Sequence, residues 1–500
     1  MLIFLVLFPL IVGGSVFILA EQKSRNRMLF FTAFLHTACV FSFWKFQPAF
    51  VLNGFLGLDA LGLLVLSVVS VLFLMVSFYL MGYFKNESDV SHRIFIGFLL
   101  FFLSFMTLVT ISRHFGLLLI GIEATTLSSV PLINFVKTRQ SIEATWKFLM
   151  ICLIGIALAL LGTYFLAVAG FDNVQSLFID KLLNHAKELS VPWLKISVIF
   201  LLIGCGTKMG LAPMHTWLPD AHSQAPSPIS ALLSGCLLNC AFLSILRVGQ
   251  VCFAAGQTPF FSSMLILLGI ISLGVAYVFI LGQEDYKRMF AYSSVEHMGI
   301  LAIGIGLGPI GIYGSLLHVI NNAFTKGFAF LVTGNLYKQY KSKKVNDVRG
   351  VLREFPITGI FLLAAFLAVS AMPPFGTFIS ELLILYAALI GHHYLVAFFY
   401  CLFLALIFIG IADIILKMIQ GQSVSSVIMS PRLKHSGVNC AKDLNVNKDP
   451  SPLGLRMKTR ESLSMIMPIL ILIVIVLILG FYIPPFLDND LHKAAGLLGG

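Results

Sequence analysis

Apolar runs of about 18 residues or more recur from one end of this chain to the other, each long enough to cross a bilayer as a helix. Of its 500 residues, 58% are hydrophobic and only 11% are charged. Soluble domains carry about 25% charged residues. The chain therefore reads as an all-α polytopic membrane protein. Length and loop punctuation predict about fourteen spans, near 2–20, 28–46, 58–82, 94–112, 115–136, 143–169, 193–212, 228–250, 262–282, 289–308, 311–337, 356–390, 394–419 and 463–484. The first has no charged leader and no small-residue cleavage site, so it reads as a retained span and not as a signal peptide.

Loop charges support the span count independently. Lys23, Arg25, Arg27, Lys85, Arg93, Lys137, Arg139, Lys287, Arg288 and the cluster from Lys338 to Arg353 fall in alternate loops. The loop from about 421 to 462 adds Arg432, Lys434, Lys442, Lys448, Arg456, Lys458 and Arg460. The opposite loops hold only a few cations, such as Arg113, Lys181, Lys187 and Lys493. The positive-inside bias puts the first set in the cytoplasm, with both termini outside. It also accounts for the net charge of +11 without nucleic acid. The 8 cysteines are scattered and include no CxxC pair, so Cys152, Cys205, Cys236 and Cys240 read as small core residues.

Five ionisable side chains lie inside these apolar stretches: Glu123, Lys208, His318, Lys326 and Glu381. A charge near the middle of a bilayer costs about 2.5–3.5 kcal/mol even on lenient scales. Several of both signs, on separate spans, point to a proton or ion path through the bundle. Two spans are also interrupted, one by Lys208-Met-Gly210-Leu-Ala-Pro213 and one by Met372-Pro373-Pro374-Phe-Gly376. Proline removes a backbone donor and clashes with the preceding turn, and in lipid such a break survives only where protein or a cavity satisfies the freed carbonyls. Two broken helices five spans apart predict an inverted five-helix repeat. The organisation read from this is 1–93 for the N-terminal helices, 94–250 and 251–420 for the repeats, 421–462 for a basic cytoplasmic loop, and 463–500 for a last span with a short tail.

Two segments carry a resemblance. Gly206-Thr-Lys208-Met-Gly-Leu-Ala-Pro213-Met-His215-Thr-Trp217-Leu-Pro219-Asp220-Ala-His222 and Asp285-Tyr-Lys287-Arg288-Met-Phe-Ala-Tyr292-Ser293-Ser294 resemble the signatures of the antiporter-like subunits of respiratory complex I. Within that superfamily, Ile122-Glu123-Ala-Thr-Thr126-Leu, Glu143-Ala-Thr-Trp146-Lys147-Phe and Ser294-Val-Glu296-His297-Met-Gly299 are most similar to the hydrogenase-4 component F branch. The resemblance runs from about residue 100 to 400. It implies the fold, proton translocation, and residence in a larger redox complex of the prokaryotic cytoplasmic membrane. The other membrane and peripheral subunits would then carry the iron–sulfur clusters and any nickel–iron centre, with no cofactor on this chain.

The resemblance also implies roles. Glu123 matches the fifth-helix glutamate that pairs with the lysine of the broken seventh helix, here Lys208. A carboxylate beside Lys208 favours its charged form, and loss of the pairing weakens its hold on a proton. Lys326 matches a central eleventh-helix lysine, with His318 two turns away on the same face. Glu381 matches the charged residue of the broken twelfth helix. This chain departs from many members in having Asn239 for an eighth-helix lysine and Asn322 for a second eleventh-helix histidine. It also ends too soon after its last span to supply the lateral helix of the largest complex I subunit.

Each candidate has a plainer alternative. Glu123 and Lys208 would also serve as a structural ion pair, His318 as a hydrogen-bonded core histidine, Lys326 as a tether and Glu381 as a lining of the half-helix end. Lys147 and Glu143, near a span end, read equally as snorkelling or as part of the path. Glu296 and His297 are expected about a turn inside the tenth span, at a cytoplasmic entry. His215, Asp220 and His222 match no standard zinc spacing, and no metal site is expected. The competing function is a subunit of a multisubunit cation/proton antiporter, or of an inorganic-carbon uptake complex, without redox chemistry.

Overall fold

The computed structural model describes residues 1–18, 21–46, 48–84, 89–170, 176–420 and 462–499. Lys85 and the basic segment 421–461 lie outside the described residues, so the expectation of a cytoplasmic loop there is not addressed by the fold. Among the described residues the chain is helical, with only isolated β-bridges such as Val51 with Leu56.

The N-terminal helices are α1 (Leu2–Val16), α2 (Gln22–Phe43) and α3 (Ala60–Tyr83). Next come α4 (Asp89–Ile111), α5 (Phe115–Ile133), α6 (Arg139–Ala169), the short α7 (Ile179–Asn184) and α8 (Val191–Met209). Then follow α9 (Trp217–Gln224), α10 (Ser227–Leu232), α11 (Leu238–Ala254), α12 (Thr258–Ile280), α13 (Tyr286–Gly306) and α14 (Pro309–Tyr340). The single turn α15 (Val351–Glu354) leads to α16 (Pro356–Val369), α17 (Gly376–Ile390) and α18 (Tyr394–Gln420). Two further helices, Leu463–Phe481 and Pro485–Gly496, follow the undescribed segment. Nine of the helices among the described residues are long and apolar enough to cross a membrane by length and composition. The short tail after the last span forms the amphipathic helix Pro485–Gly496, whose Leu487 and Leu491 are buried.

Local sequence sets the helix ends. Asp59 caps α3 by accepting from Gly62 N, Thr138 caps α6 through Ser141 N, and Asp285 caps α13 through Lys287 N and Arg288 N. Proline occupies the first turn of α8, α12, α14 and α16, where its missing N–H costs nothing.

Both predicted breaks are present. Helix α8 stops at Gly210, whose φ of 82° is left-handed, and non-helical chain runs to Thr216 with a cis Ala212–Pro213 bond. The carbonyls freed there are taken up inside the protein. Gly206 O accepts from Leu211 N at 2.9 Å, and Thr207 O from the Trp217 indole at 2.8 Å. The second break separates α16 from α17 at the cis Pro373–Pro374 pair. There Leu367 O accepts from Met372 N at 2.8 Å, and Ala368 O from the Thr377 hydroxyl at 2.7 Å. The helix Leu463–Phe481 crosses this break so closely that a Cβ on Gly480 would lie 1.9 Å from Pro374 O.

The core is formed by α10–α11, α13 and α14. The membrane-length stretch Ser227–Ala254 is buried without interruption from Ser227 to Cys252, and α14 from Gly314 to Leu336. Helices α6, α12 and α18 keep most of their surface outward and enclose that core. Close approach of α6 and α8 needs glycine: a Cβ on Gly204 would meet Gly155 O at 2.5 Å. The core helices carry many of the buried polar side chains, Lys326, His297 and His318 among them.

Candidate functional site

Lys208 occupies the last turn of α8, where the helix dipole favours a cation, and it is only 4% exposed. Its ammonium donates to Thr126 Oγ1 at 2.7 Å and lies 3.8 Å from Cys152 Sγ. It also sits 4.6 Å from the centre of the Phe148 ring, within cation–π range. Thr126 in turn reaches Glu123 Oε2 at 3.4 Å. The expected Glu123–Lys208 partnership is therefore bridged by a hydroxyl that accepts from the lysine and faces the carboxylate. The second carboxylate oxygen of Glu123 is buried without a protein partner.

A second cluster forms in the later half, on α13, α14 and α17. His297 Nδ1 and His318 Nε2 are 3.0 Å apart, with the rings stacked. His318 Nδ1 is 2.8 Å from Ser380 Oγ, and Glu381 Oε1 is 3.8 Å from His297 Nδ1. His297 lies eleven residues into α13, about 16 Å along its axis, and not a turn from its start. The predicted span, starting at 289, already places His297 two turns inside, and the Asp285 cap begins α13 at Tyr286, which sets the histidine deeper still. His297, His318 and Glu381 present ligand-type atoms all within 4.8 Å of one another, so this trio is where the described residues could hold a metal.

Lys326 of α14 is fully buried, its ammonium 2.5 Å from Ser293 Oγ on α13. Ser294 next to it meets Ser234 at 2.8 Å. Ser234 lies in the π-turn Leu233–Leu237 that joins α10 to α11, a device common at functional sites. Asn239, one of the two departures noted above, uses its amide to satisfy Gly235 O at 2.8 Å beside that turn. Asn239 Oδ1, both polar atoms of Asn322, and Glu296 Oε2 are buried without a protein partner. Leaving such atoms dry costs about 1–3 kcal/mol each, so each is a candidate site for ordered water.

A polar cavity of about 950 Å³, lined among others by Glu143, Lys147, Asp220, Asp285, Lys287 and Arg288, opens from the surface. Lys147 pairs with Glu143 at 2.8 Å and Asp220 at 3.1 Å, and Arg288 pairs with Asp220 at 2.6 Å. These uses of Asp220 separate it from His222, which stacks on Phe330. Lys147 is 47% exposed, and exposed pairs contribute little. Lys147→Ala is expected to change proton transport less than twofold, read as initial proton uptake by vesicles.

One charged group was missed by the sequence reading. Arg247, inside the eighth predicted span, is 0% exposed and binds Asp59 through both terminal nitrogens. Arg113 joins the same carboxylate at 2.8 Å and also meets Asp180. The signal was available, since Arg247 is an arginine within an apolar run. Burial raises the Asp59 carboxyl pKa, but Arg247, Arg113 and the Gly62 amide outweigh it and hold the group well below the usual range. A folded pKa below the unfolded one means that this stabilisation is complete above the unfolded carboxylate pKa and is lost as pH falls through the folded one. Asp59→Ala leaves Arg247 buried and unpaired, and is expected to cost about 3–5 kcal/mol, read as a lowered unfolding midpoint in detergent.

The sequence pattern described as "NADH:quinone oxidoreductase/Mrp antiporter, TM" matches residues 112–409. The chain is 32% identical over 432 residues to the hydrogenase-4 component F homolog of Methylacidiphilum infernorum, covering 83% of this chain and 88% of that protein. It is 31% identical over 353 residues to the Na(+)/H(+) antiporter subunit A1 of Staphylococcus aureus, covering 67% of this chain but only 43% of that longer protein. The fold is similar to that of a chain in the Mrp complex from Dietzia sp. DQ12-45-1b, with a TM-score of 0.86, 18% identity, and coverage of 99% and 97% of the two chains.

Proposed function

Because this chain belongs to the NADH:quinone oxidoreductase/Mrp antiporter transmembrane family, we propose that it is the proton-translocating, antiporter-like subunit of a redox-driven membrane complex of the hydrogenase-4 or NADH–quinone oxidoreductase kind. The observation that carries this reading is the set of ionisable groups held on separate helices of an apolar core: Lys208 beside Thr126 and Glu123, Lys326 beside Ser293, and His297 beside His318 and Glu381. So many buried ionisable groups are costly to keep for packing alone.

The fuller architecture belongs to the same proposal: fourteen spans, with the fourth to eighth repeated in inverted sense by the ninth to thirteenth. The placement of the clusters supports it. Glu123, Cys152 and Lys208 sit on the fifth, sixth and seventh predicted spans. His297, His318 and Glu381 sit on the tenth, eleventh and twelfth. Each half thus builds its cluster from three spans related by the same offset of five. The Lys/Arg loop bias supports placement in a prokaryotic cytoplasmic membrane with both termini outside.

Mechanistically, Lys208 holds its proton while Thr126 links it to Glu123, and separating them disfavours the charged lysine. The released proton moves along hydroxyls and ordered water towards Lys326, then to the histidine pair and Glu381. Driving one charge against about 150 mV takes about 3.5 kcal/mol. A change of two to three pKa units along this path supplies free energy of that order. Electron transfer takes place in partner subunits, which hold the iron–sulfur clusters and any nickel–iron centre.

The staphylococcal relative favours a second reading, a cation/proton antiporter subunit without redox chemistry. The hydrogenase-type relative covers more of both chains and favours the first. Purifying the tagged chain in mild detergent and identifying its companions by mass spectrometry separates the two. Large and iron–sulfur subunits of hydrogenase or complex I type are the expected companions. Recovery of small antiporter subunits alone would overturn the redox reading.

A further inference from the structure

We propose that His297, His318 and Glu381 form a zinc-binding site in the membrane core, through which zinc halts proton movement by taking the lone pairs that the path needs. The argument begins with ligand geometry. Zinc binds histidine nitrogen and carboxylate oxygen at about 2.0–2.2 Å, in a tetrahedron. Those bonds place neighbouring ligand atoms about 3.3 Å apart. Here the two imidazole nitrogens are 3.0 Å apart, and the Glu381 oxygen is 3.8 Å from His297 Nδ1. Two of the spacings are thus close to the needed one, and the third, Glu381 to His318, is within 4.8 Å, so a movement of the Glu381 carboxylate by about 1.5 Å or less completes the set. Two histidines and one glutamate leave the fourth position for water, as in open zinc sites.

The surrounding shell fixes the ring that matters. Ser380 Oγ donates to Thr377 O at 2.9 Å, so its lone pair is left for the proton on His318 Nδ1, 2.8 Å away. That contact assigns the N–H of His318 to Nδ1 and turns the bare Nε2 towards His297 and the metal position. Metal-binding histidines need this kind of outer-shell acceptor for orientation and tautomer. Without zinc, His297 Nδ1–H donates to His318 Nε2. Zinc binding requires that proton to leave His297 Nδ1, because a metal takes a free lone pair. Glu381 is the ligand nearest the outside: its side chain remains 10% exposed, whereas that of His297 is 0% exposed. Entry is from the Glu381 side.

The sequence did not bring these three together, because they lie on three helices and share no motif spacing. The binding claim goes beyond the proposed function; only its consequence, arrested proton transfer, rests on that reading. The test therefore measures binding without turnover. The full chain is purified in detergent, stripped with chelator, exposed to Zn2+ alone and desalted. Bound metal is then counted and its X-ray absorption spectrum recorded. The expected result is one retained zinc per chain with two imidazole ligands. His318→Gln should weaken its binding at least tenfold. Ser380→Ala should weaken it about 10–100-fold while leaving all three ligands in place. Ser380→Ala keeps the test decisive where a ligand variant does not fold. Absence of stoichiometric zinc would overturn the proposal. So would zinc retained equally by both variants, since it would then lie on exposed histidines such as His185 or His492.

Discussion

Replacing Lys208 with methionine is expected to lower proton transport by at least tenfold while the chain still assembles with its partners. The environment of the side chain explains both halves of that result. Lys208 projects from the end of α8 into a pocket made by the Phe148 ring, Cys152 and, 6.0 Å from the ammonium, Trp217. Methionine has similar length, suits aromatic surroundings and needs no partner, so packing is maintained. What disappears is the one cation that links through Thr126 to Glu123. With no group there able to hold and release a proton, the first transfer along the proposed path cannot occur. The readout is proton uptake by vesicles, normalised to assembled complex measured on native gels. Uptake above half the wild-type rate at equal assembly would remove Lys208 from the path.

Lys326→Met is expected to have an effect of the same size for a different reason. Lys326 is the one lysine or arginine among the buried residues of α14, and its ammonium donates to Ser293 Oγ. In the proposed path it stands between the Glu123–Lys208 cluster and the histidine pair, and it lies eight residues, about 12 Å along the helix, from His318. Asn239 and Asn322 nearby are neutral and cannot replace a titrating group. Removing Lys326 therefore divides that path, and at least a tenfold loss of uptake is expected. The comparison with Lys147→Ala is informative, because that lysine is exposed and already paired with Glu143 and Asp220. Similar losses in both variants would mean that the loss follows lysine removal in general and not interruption of a path. A large Lys326 effect beside a small Lys147 effect is the predicted pattern.

Much of the architecture was legible because a bilayer imposes long, apolar helices. The same constraint made the two breaks legible, since Pro213 and the Pro373–Pro374 pair interrupt otherwise continuous runs. The buried charges of Glu123, Lys208, His318, Lys326 and Glu381 stood out for the same physical reason. The connecting hydroxyls did not. Most Ser and Thr side chains in these helices bond back to their own turn, as Ser70 does to Leu66 O and Thr163 to Ala159 O. Nothing in the sequence marks Thr126, Ser293 and Ser380 as hydroxyls that meet Lys208, Lys326 and His318 on other helices. The meeting of His297 with His318 was equally hidden, because it depends on how α13 and α14 pack. Arg247 was the opposite case: its signal was plain, but its partner Asp59 lies 188 positions away and caps another helix.

The measurement that tests the central claim most directly is proton movement by the wild-type complex itself. The complex is reconstituted into sealed vesicles, its redox partners are turned over, and internal pH is followed with a trapped dye in sodium-free and sodium-containing buffer. The account predicts proton movement coupled to turnover, at the same rate in both buffers, and collapsed by a protonophore. Turnover without a pH change, or a pH change that appears only with sodium, would contradict it.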